Sequence, residues 1–372
     1  MIKIGITGQT GFIGTHLYTF LGLKKDEVER IPFEDNFFEE ASKLEEFVRQ
    51  CDVIIHLAAL NRHNDPHTIY DTNISLVKRL LKALDSIGSR PHILFSSSTQ
   101  EERDNMVGKS KREGRELLAN WAKANNAKFT GMIVPNVFGP FGNPYYNSVV
   151  ATFSHQITHN EEPKIEIDAQ LKLIYIGELV ELIWKAIRDE YSSEEYRIPH
   201  TSERKVTKIL ELIRHFKTGY SDRGIFPVLT DKFETNLFNT FRCYMDIENH
   251  FPVKLVKNTD DRGTFVETIK SGLGGQISFS TTKPGITRGN HFHTRKIERF
   301  AVIKGKARIQ LRRIGTDKVM NFELDGNEPS YVDMPIWYTH NITNVGDEEL
   351  YTIFWINEFF DPDDPDTFFE KV

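Results

Sequence analysis

Three glycines set the first limit on this fold. Gly8, Gly11 and Gly14 recur at every third position within Thr7-Gly8-Gln9-Thr10-Gly11-Phe12-Ile13-Gly14. The strand-like run Ile2 to Thr7 precedes them, and the helical pattern Thr15 to Leu23 follows. In that setting the first glycine permits a tight turn and the second lets backbone approach a pyrophosphate. The third lets the helix pack close to the strand with its N-terminus facing the anion. The alternative is an ordinary strand-to-helix turn, and the strand–loop–helix context favours the phosphate site. Gly8, Gly11, Phe12, Ile13 and Gly14 are therefore expected to contact a dinucleotide.

The alternation continues. Val53 to Ala59 is a nearly continuous apolar run, Asn73 to Ile87 is periodic as a helix, and His92 to Ser97 is a strand. A helix over Lys109 to Asn125 and a strand from Phe129 follow. Such alternation predicts a doubly wound parallel sheet, an α/β Rossmann domain. From about 149 to 216 the pattern is mainly helical, and 217–252 reads as a joining segment. After Val253 short β-rich runs punctuated by Gly, Asp, Asn and Pro predict an all-β barrel or sandwich. The expected domains are 1–250 and 251–372.

Composition removes other classes. A 372-residue chain of net charge -6 without a basic stripe argues against nucleic acid as a partner. Its mean hydropathy is -0.42, and no apolar run reaches membrane-spanning length. The N-terminal residues lack signal-peptide features, and the two cysteines, Cys51 and Cys243, stand far apart. A cytoplasmic protein without a disulfide framework is expected.

A second constellation lies near the C-terminus. Gly285 is followed by His291, His293, Glu298 and Gly305, and later by Pro335, His340 and Asn344. His-x-His on a strand projects two imidazoles to one face, and Glu298 can join them from a neighbouring strand. Three imidazoles and one carboxylate suit a divalent metal, zinc foremost, with Mn, Fe, Ni and Cu also open. The metal set is His291, His293, Glu298 and His340. His200 and His250 lack such context and read as solvated or structural. These spacings resemble the two motifs of the cupin (jelly-roll) family, with Trp337 where a glycine is usual.

The wording of the glycine loop, His56-Leu57-Ala58-Ala59 and Pro135-Asn136-Val137-Phe138-Gly139-Pro140 resembles the extended short-chain dehydrogenase/reductase family over about 1–250. The resemblance adds Leu57, Ala58 and Ala59 to the cofactor contacts. Arg30 stands near the end of the second strand where an acid would grip an NAD ribose, which leans toward NADP. The family's Ser…Tyr-x-x-x-Lys set implies Ser98 as the serine that orients the carbonyl and Lys111 as the lysine. Val107 occupies the tyrosine's position and cannot donate a proton, and Ile133 replaces a frequent arginine. A degenerate reductase site, a substitute acid such as Thr99, or an introduced mutation all fit these residues.

Asp261-Arg262-Gly263-Thr264-Phe265-Val266-Glu267, Arg288-Gly289-Asn290-His291 and Met334-Pro335 with Tyr338-Thr339-His340 resemble dTDP-4-dehydrorhamnose 3,5-epimerase. The resemblance implies His291 as a base, in competition with its part as a metal ligand, and Tyr338 as a proton partner or an aromatic filler. With both halves in one chain, and with Phe359-Phe360-Asp361-Pro362 and Pro365-Asp366-Thr367 at its end, the sequence is identified as a member of the CapF/WbjC family of capsule and O-antigen enzymes. That implies C3 epimerisation in the second domain and NADPH-dependent C4 reduction in the first. The implied substrate is a UDP-linked 4-keto-6-deoxy amino sugar, UDP-2-acetamido-2,6-dideoxy-hexos-4-ulose, on the route to UDP-N-acetyl-L-fucosamine. A homodimer is also implied. The rival readings are an epimerase with a degenerate NADP-binding domain, a non-catalytic NADP- and metal-binding protein, and a cupin oxygenase.

Overall fold

The computed structural model describes residues 1–372 apart from 261, 262, 267, 272–274, 359 and 360, and without the side chains of 258–260, 263–266, 271 and 276. Asp261, Arg262, Glu267, Phe359 and Phe360 of the sequence motifs lie outside the described residues, and Gly263 to Val266 are described in backbone alone.

The chain begins with β1 (Ile2–Thr7), α1 (Phe12–Gly22), β2 (Val28–Ile31), α2 (Ala41–Gln50), β3 (Val53–His56), α3 (Pro66–Ile87), β4 (His92–Ser98), α4 (Met106–Ala124) and β5 (Phe129–Val134). One parallel sheet runs β2-β1-β3-β4-β5 and ends with Ser193–Arg197. β3 and β5 are buried along their whole length because helices cover both faces. Leu44, Phe47, Ile54, Leu80, Leu84 and Leu118 fill the layer on one side. The long helix α3 starts at Asp65, whose side chain accepts from His67 N, continues through Pro66, and stops at Gly88 with φ +68. The chain moves from β1 outward to β2 and then crosses to β3 on the other side of β1. That reversal opens a crevice at the carboxyl ends of β1 and β3, the usual ligand position in such sheets.

Two compact units result, 1–149 with 168–206 and 150–167 with 207–372. The boundary expected at 250 therefore shifts, and 207–250 joins the β-rich part. Its aromatic residues explain why. The Phe226 ring lies 4.4 Å from that of Trp355, and Phe216, Phe238 and Phe241 are buried. The Tyr220 hydroxyl donates to Asp333, whose carboxylate takes two bonds from Arg299 at 2.7 and 2.9 Å.

The second unit carries two five-stranded antiparallel sheets, the layering a jelly roll requires. One orders Val253–Lys254, Ser330–Met334, Glu298–Lys304, Leu350–Ile356 and Gln276–Thr282. The other orders Val319–Asp325, Lys306–Arg313, Tyr338–Asn344, Thr287–Phe292 and Phe368–Phe369. Ile309, Leu311, Val302, Val332 and Ile342 alternate inward along these strands. Among the described residues, no helix is long and apolar enough to cross a membrane.

Candidate functional site

The glycine loop has the geometry its spacing predicts. Gly8 adopts φ +70, and a Cβ there would lie 2.7 Å from Ala58 N. A Cβ on Gly14 would lie 2.2 Å from the Gly8 carbonyl, so only glycine lets α1 begin this close to the loop. The first turn of α1 follows Gly11 without a side-chain cap. Its amide end is thus the positive pole of a helix dipole, suited to phosphate.

The segment after β3 closes the other side of the crevice. Leu57 N donates to Thr7 O at 3.1 Å, and Ala58 N to Thr7 Oγ1 at 3.4 Å. Asn73 holds Leu60 by two bonds, accepting from its N at 2.7 Å and donating to its O at 3.1 Å. Asn73 also donates to Ser110 Oγ at 3.0 Å, which ties this segment to α4. Phe12, Ile13 and Ala59 sit in the same two segments.

Arg30, the residue expected near the ribose, packs on α1. Its guanidinium donates to Tyr18 O at 2.9 Å and lies 4.2 Å from the Tyr18 ring centroid. Gly22 leaves the room, since a Cβ there would come within 2.7 Å of Arg30 Nη1. The arginine is thus held against α1 through Nη1 and its planar face. The sequence reading missed Asp35, four residues beyond β2, whose carboxylate accepts from Thr10 of the glycine loop at 3.4 Å. Inspecting acids just past the strand, and not only at its last residue, would have found it.

Lys111 is buried in α4 and donates to Ser96 O at 3.0 Å. Burial pushes its ammonium down to about 8. Val107 stands one helical turn earlier on the same face. Ser98 caps the short turn after β4, its Oγ accepting from Gln100 N at 3.2 Å. Thr99, the substitute donor considered from sequence, is exposed on that turn. A feature unseen in the sequence anchors it: Glu101 is buried against Arg115 at 3.0 Å and accepts from Ser97 Oγ at 2.5 Å.

The second unit brings together all four predicted metal ligands. One ligand atom from each of His291, His293, Glu298 and His340 lies within 4.8 Å of the others. Backbone pairing explains this: His291 sits opposite His340 in one sheet, past a bulge at Gly289, and Glu298 heads a strand of the other. Nε2 of His293 and of His340 lie 2.9 and 3.2 Å from Glu298 Oε2. Yet these three buried atoms are not aligned as hydrogen bonds. Buried polar atoms aimed at one point without mutual bonding fit a divalent cation, and the nitrogen and oxygen donors suit a metal of the zinc type.

Electrostatics agree with that arrangement. Burial, aided by His340 and His293, pushes His291 down to about 4, so the half-buried imidazole is neutral at pH 7. Burial alone would raise the Glu298 carboxyl, but His293 and His340 override it and hold it well below the usual range. Tyr338 is buried, and burial raises its phenol, with the Cys243 thiol and Arg313 acting on it. Trp337, in the motif's usual glycine position, adopts φ +59 and stacks 5.4 Å from Phe292. Among the unassigned histidines, His200 pairs with Glu203 at 2.9 Å, and the His250 ring packs 4.7 Å from that of Phe251.

Comparison with known proteins decides the family. Residues 4–198 match the NAD dependent epimerase/dehydratase family, and 258–368 match the polysaccharide biosynthesis C-terminal domain. A UDP-2-acetamido-2,6-beta-L-arabino-hexul-4-ose reductase of Pseudomonas aeruginosa is 33% identical over 369 residues, 99% of this chain and 98% of that protein. The capsular polysaccharide assembling protein CapF of Staphylococcus aureus is 35% identical, with a TM-score of 0.63 and 100% of both chains covered. The chain belongs to the CapF/WbjC family. This CapF/WbjC member is accordingly an NAD(P)-dependent enzyme of the epimerase/reductase kind. It is also similar to the spore coat polysaccharide biosynthesis protein SpsL of Bacillus subtilis, 27% identical over 123 residues, 30% of this chain and 82% of that one.

Proposed function

We propose that the chain is a bifunctional nucleotide-sugar enzyme. The histidine cluster serves C3 epimerisation of UDP-2-acetamido-2,6-dideoxy-hexos-4-ulose, and the glycine-loop crevice serves reduction at C4, toward UDP-N-acetyl-L-fucosamine. The observation that carries this is the presence of both constellations in one chain whose whole length is similar to a hexul-4-ose reductase.

A ketone at C4 acidifies the hydrogen on C3. The epimerase half needs a neutral base and a partner for the developing oxyanion. His291 is neutral and half-buried, and it supplies either a base or a ligand, not both. A divalent metal held by His291, His293, Glu298 and His340 would supply Lewis acidity to that oxygen. Tyr338 remains a candidate proton partner on the strand that carries His340. At the other site, a bound NADPH or NADH would supply hydride. There the loop amides hold the phosphates, Lys111 faces Ser96 and Ser98 caps the adjoining turn. Arg30 favours NADP and Asp35 beside the loop offers an acceptor for a ribose hydroxyl, so both coenzymes belong in the test.

One specific observation favours a second reading, an epimerase with a binding-only first unit. Val107 carries no proton, and a positioned acid contributes ~10²–10⁴-fold. The deciding experiment follows absorbance at 340 nm with the keto-sugar and each coenzyme, and exchange of the C3 hydrogen with solvent deuterium. Steady coenzyme oxidation with exchange supports the bifunctional reading. Exchange without oxidation leaves the epimerase alone, and neither signal overturns both.

A further inference from the structure

One residue outside the ligand set ties the histidine cluster to the end of the chain. Asp366 is buried at 3% exposure, and its backbone carbonyl accepts from His293 Nδ1 at 2.5 Å. Its carboxylate accepts four further bonds. They come from Thr294 N at 3.1 Å, Thr294 Oγ1 at 2.6 Å, Arg295 N at 3.0 Å and Lys296 N at 3.0 Å. Those donors belong to the turn that joins His293 to Glu298. The neighbouring tail is fixed to the same strand: Phe368 and Phe369 pair with Phe292 and His291, and Glu370 N donates to Asn290 O at 2.9 Å.

We propose that Asp366 is a positioning residue for the metal site. Its carbonyl takes the proton on His293 Nδ1, which leaves Nε2 as the lone-pair nitrogen facing Glu298. Its carboxylate holds the turn that sets the distance between those two ligands. A carboxylate gathering four donors is anchored firmly, and its loss strands three backbone amides. Partners of this kind orient a ligating histidine, and their removal costs metal affinity about 10–100-fold. The proposal rests on the reading of the cluster as a metal site.

The test uses the full chain, stripped of metal by a chelator and titrated with Co²⁺ alone. Affinity and the visible ligand-field spectrum are read together with circular dichroism. The wild type is expected to bind one Co²⁺. Asp366→Ala should bind about 10–100-fold more weakly with altered bands, and Asp366→Asn, which keeps the shape and one acceptor oxygen, should fall between. Asp361→Asn, in the same tail, should match the wild type. Wild-type protein that takes up no Co²⁺ removes the metal reading itself and this proposal with it. Wild-type binding matched in affinity and spectrum by folded Asp366→Ala overturns the proposal alone. Should Asp366→Ala fail to fold, Asp366→Asn and Thr294→Ala decide in its place: unchanged affinity and bands in both overturn it.

Discussion

Nε2 of His293 stands 2.9 Å from Oε2 of Glu298, both atoms buried and neither aligned to bond the other. Sealing such a pair from water is costly unless a cation lies between. The cluster should therefore couple stability to metal. A divalent ion at 100 times its dissociation constant should add about 2.7 kcal/mol. Glu298→Gln should lose most of that gain. Calorimetry with zinc and with chelator measures it, and equal midpoints in the wild type would sink the idea.

Val107 precedes Lys111 by one turn of α4 on the same helix face. Val107→Tyr would put a phenol one turn from a buried ammonium already lowered to about 8. Coenzyme oxidation by the variant should rise by ~10²-fold if the missing acid limits reduction. An unchanged rate would mean that another donor already serves, or that hydride transfer is blocked elsewhere.

His56 ends β3 with Nδ1 2.7 Å from Thr7 Oγ1, and burial, with help from Lys111, pushes it down to about 3. A lowered folded value means that the unfolded chain takes the proton more readily. The stability concerned is therefore complete above the ordinary histidine value of 6.5 and is lost as pH falls toward 3. Between pH 7 and pH 5 it should amount to ~2 kcal/mol. His56→Gln should flatten that part of the profile in denaturant unfolding. Equal pH slopes for variant and wild type would count against a neutral buried His56.

Trp337 holds φ +59, a region that costs a side chain about 1–2 kcal/mol. Trp337→Gly and Trp337→Ala both lose the ring against Phe292, but only glycine escapes the backbone cost. The glycine variant should be more stable than the alanine variant by about 1 kcal/mol. Parity between them in urea unfolding would show that the backbone there carries no strain.

What could be read from sequence follows a physical divide. The glycine loop was legible because Gly8 and Gly14 each answer a local clash, and the His-x-His pair because strand side chains alternate. Residues joined by long-range contact were not. Asp366 meets His293 from the far end of the chain, and nothing near either residue announces the other. The setting of Arg30 was not legible either, because its direction depends on the gap left by Gly22 on a neighbouring helix. The segment 217–252 reads as a joint in sequence because its aromatic anchors, Phe226 and Tyr220, find their partners Trp355 and Asp333 more than a hundred positions later.

The division of the chain also bears on how it can be made. Residues 150–167 belong to the second unit, yet 168–206 return to the first and carry the sixth strand of its parallel sheet, Ser193–Arg197. During synthesis the parallel sheet is complete only after a stretch destined for the other unit has already emerged. No single cut yields two whole halves, and a fragment begun at 251 would take Phe226 from Trp355 and Tyr220 from Asp333. Dissecting the two activities calls for point substitutions within the intact polypeptide.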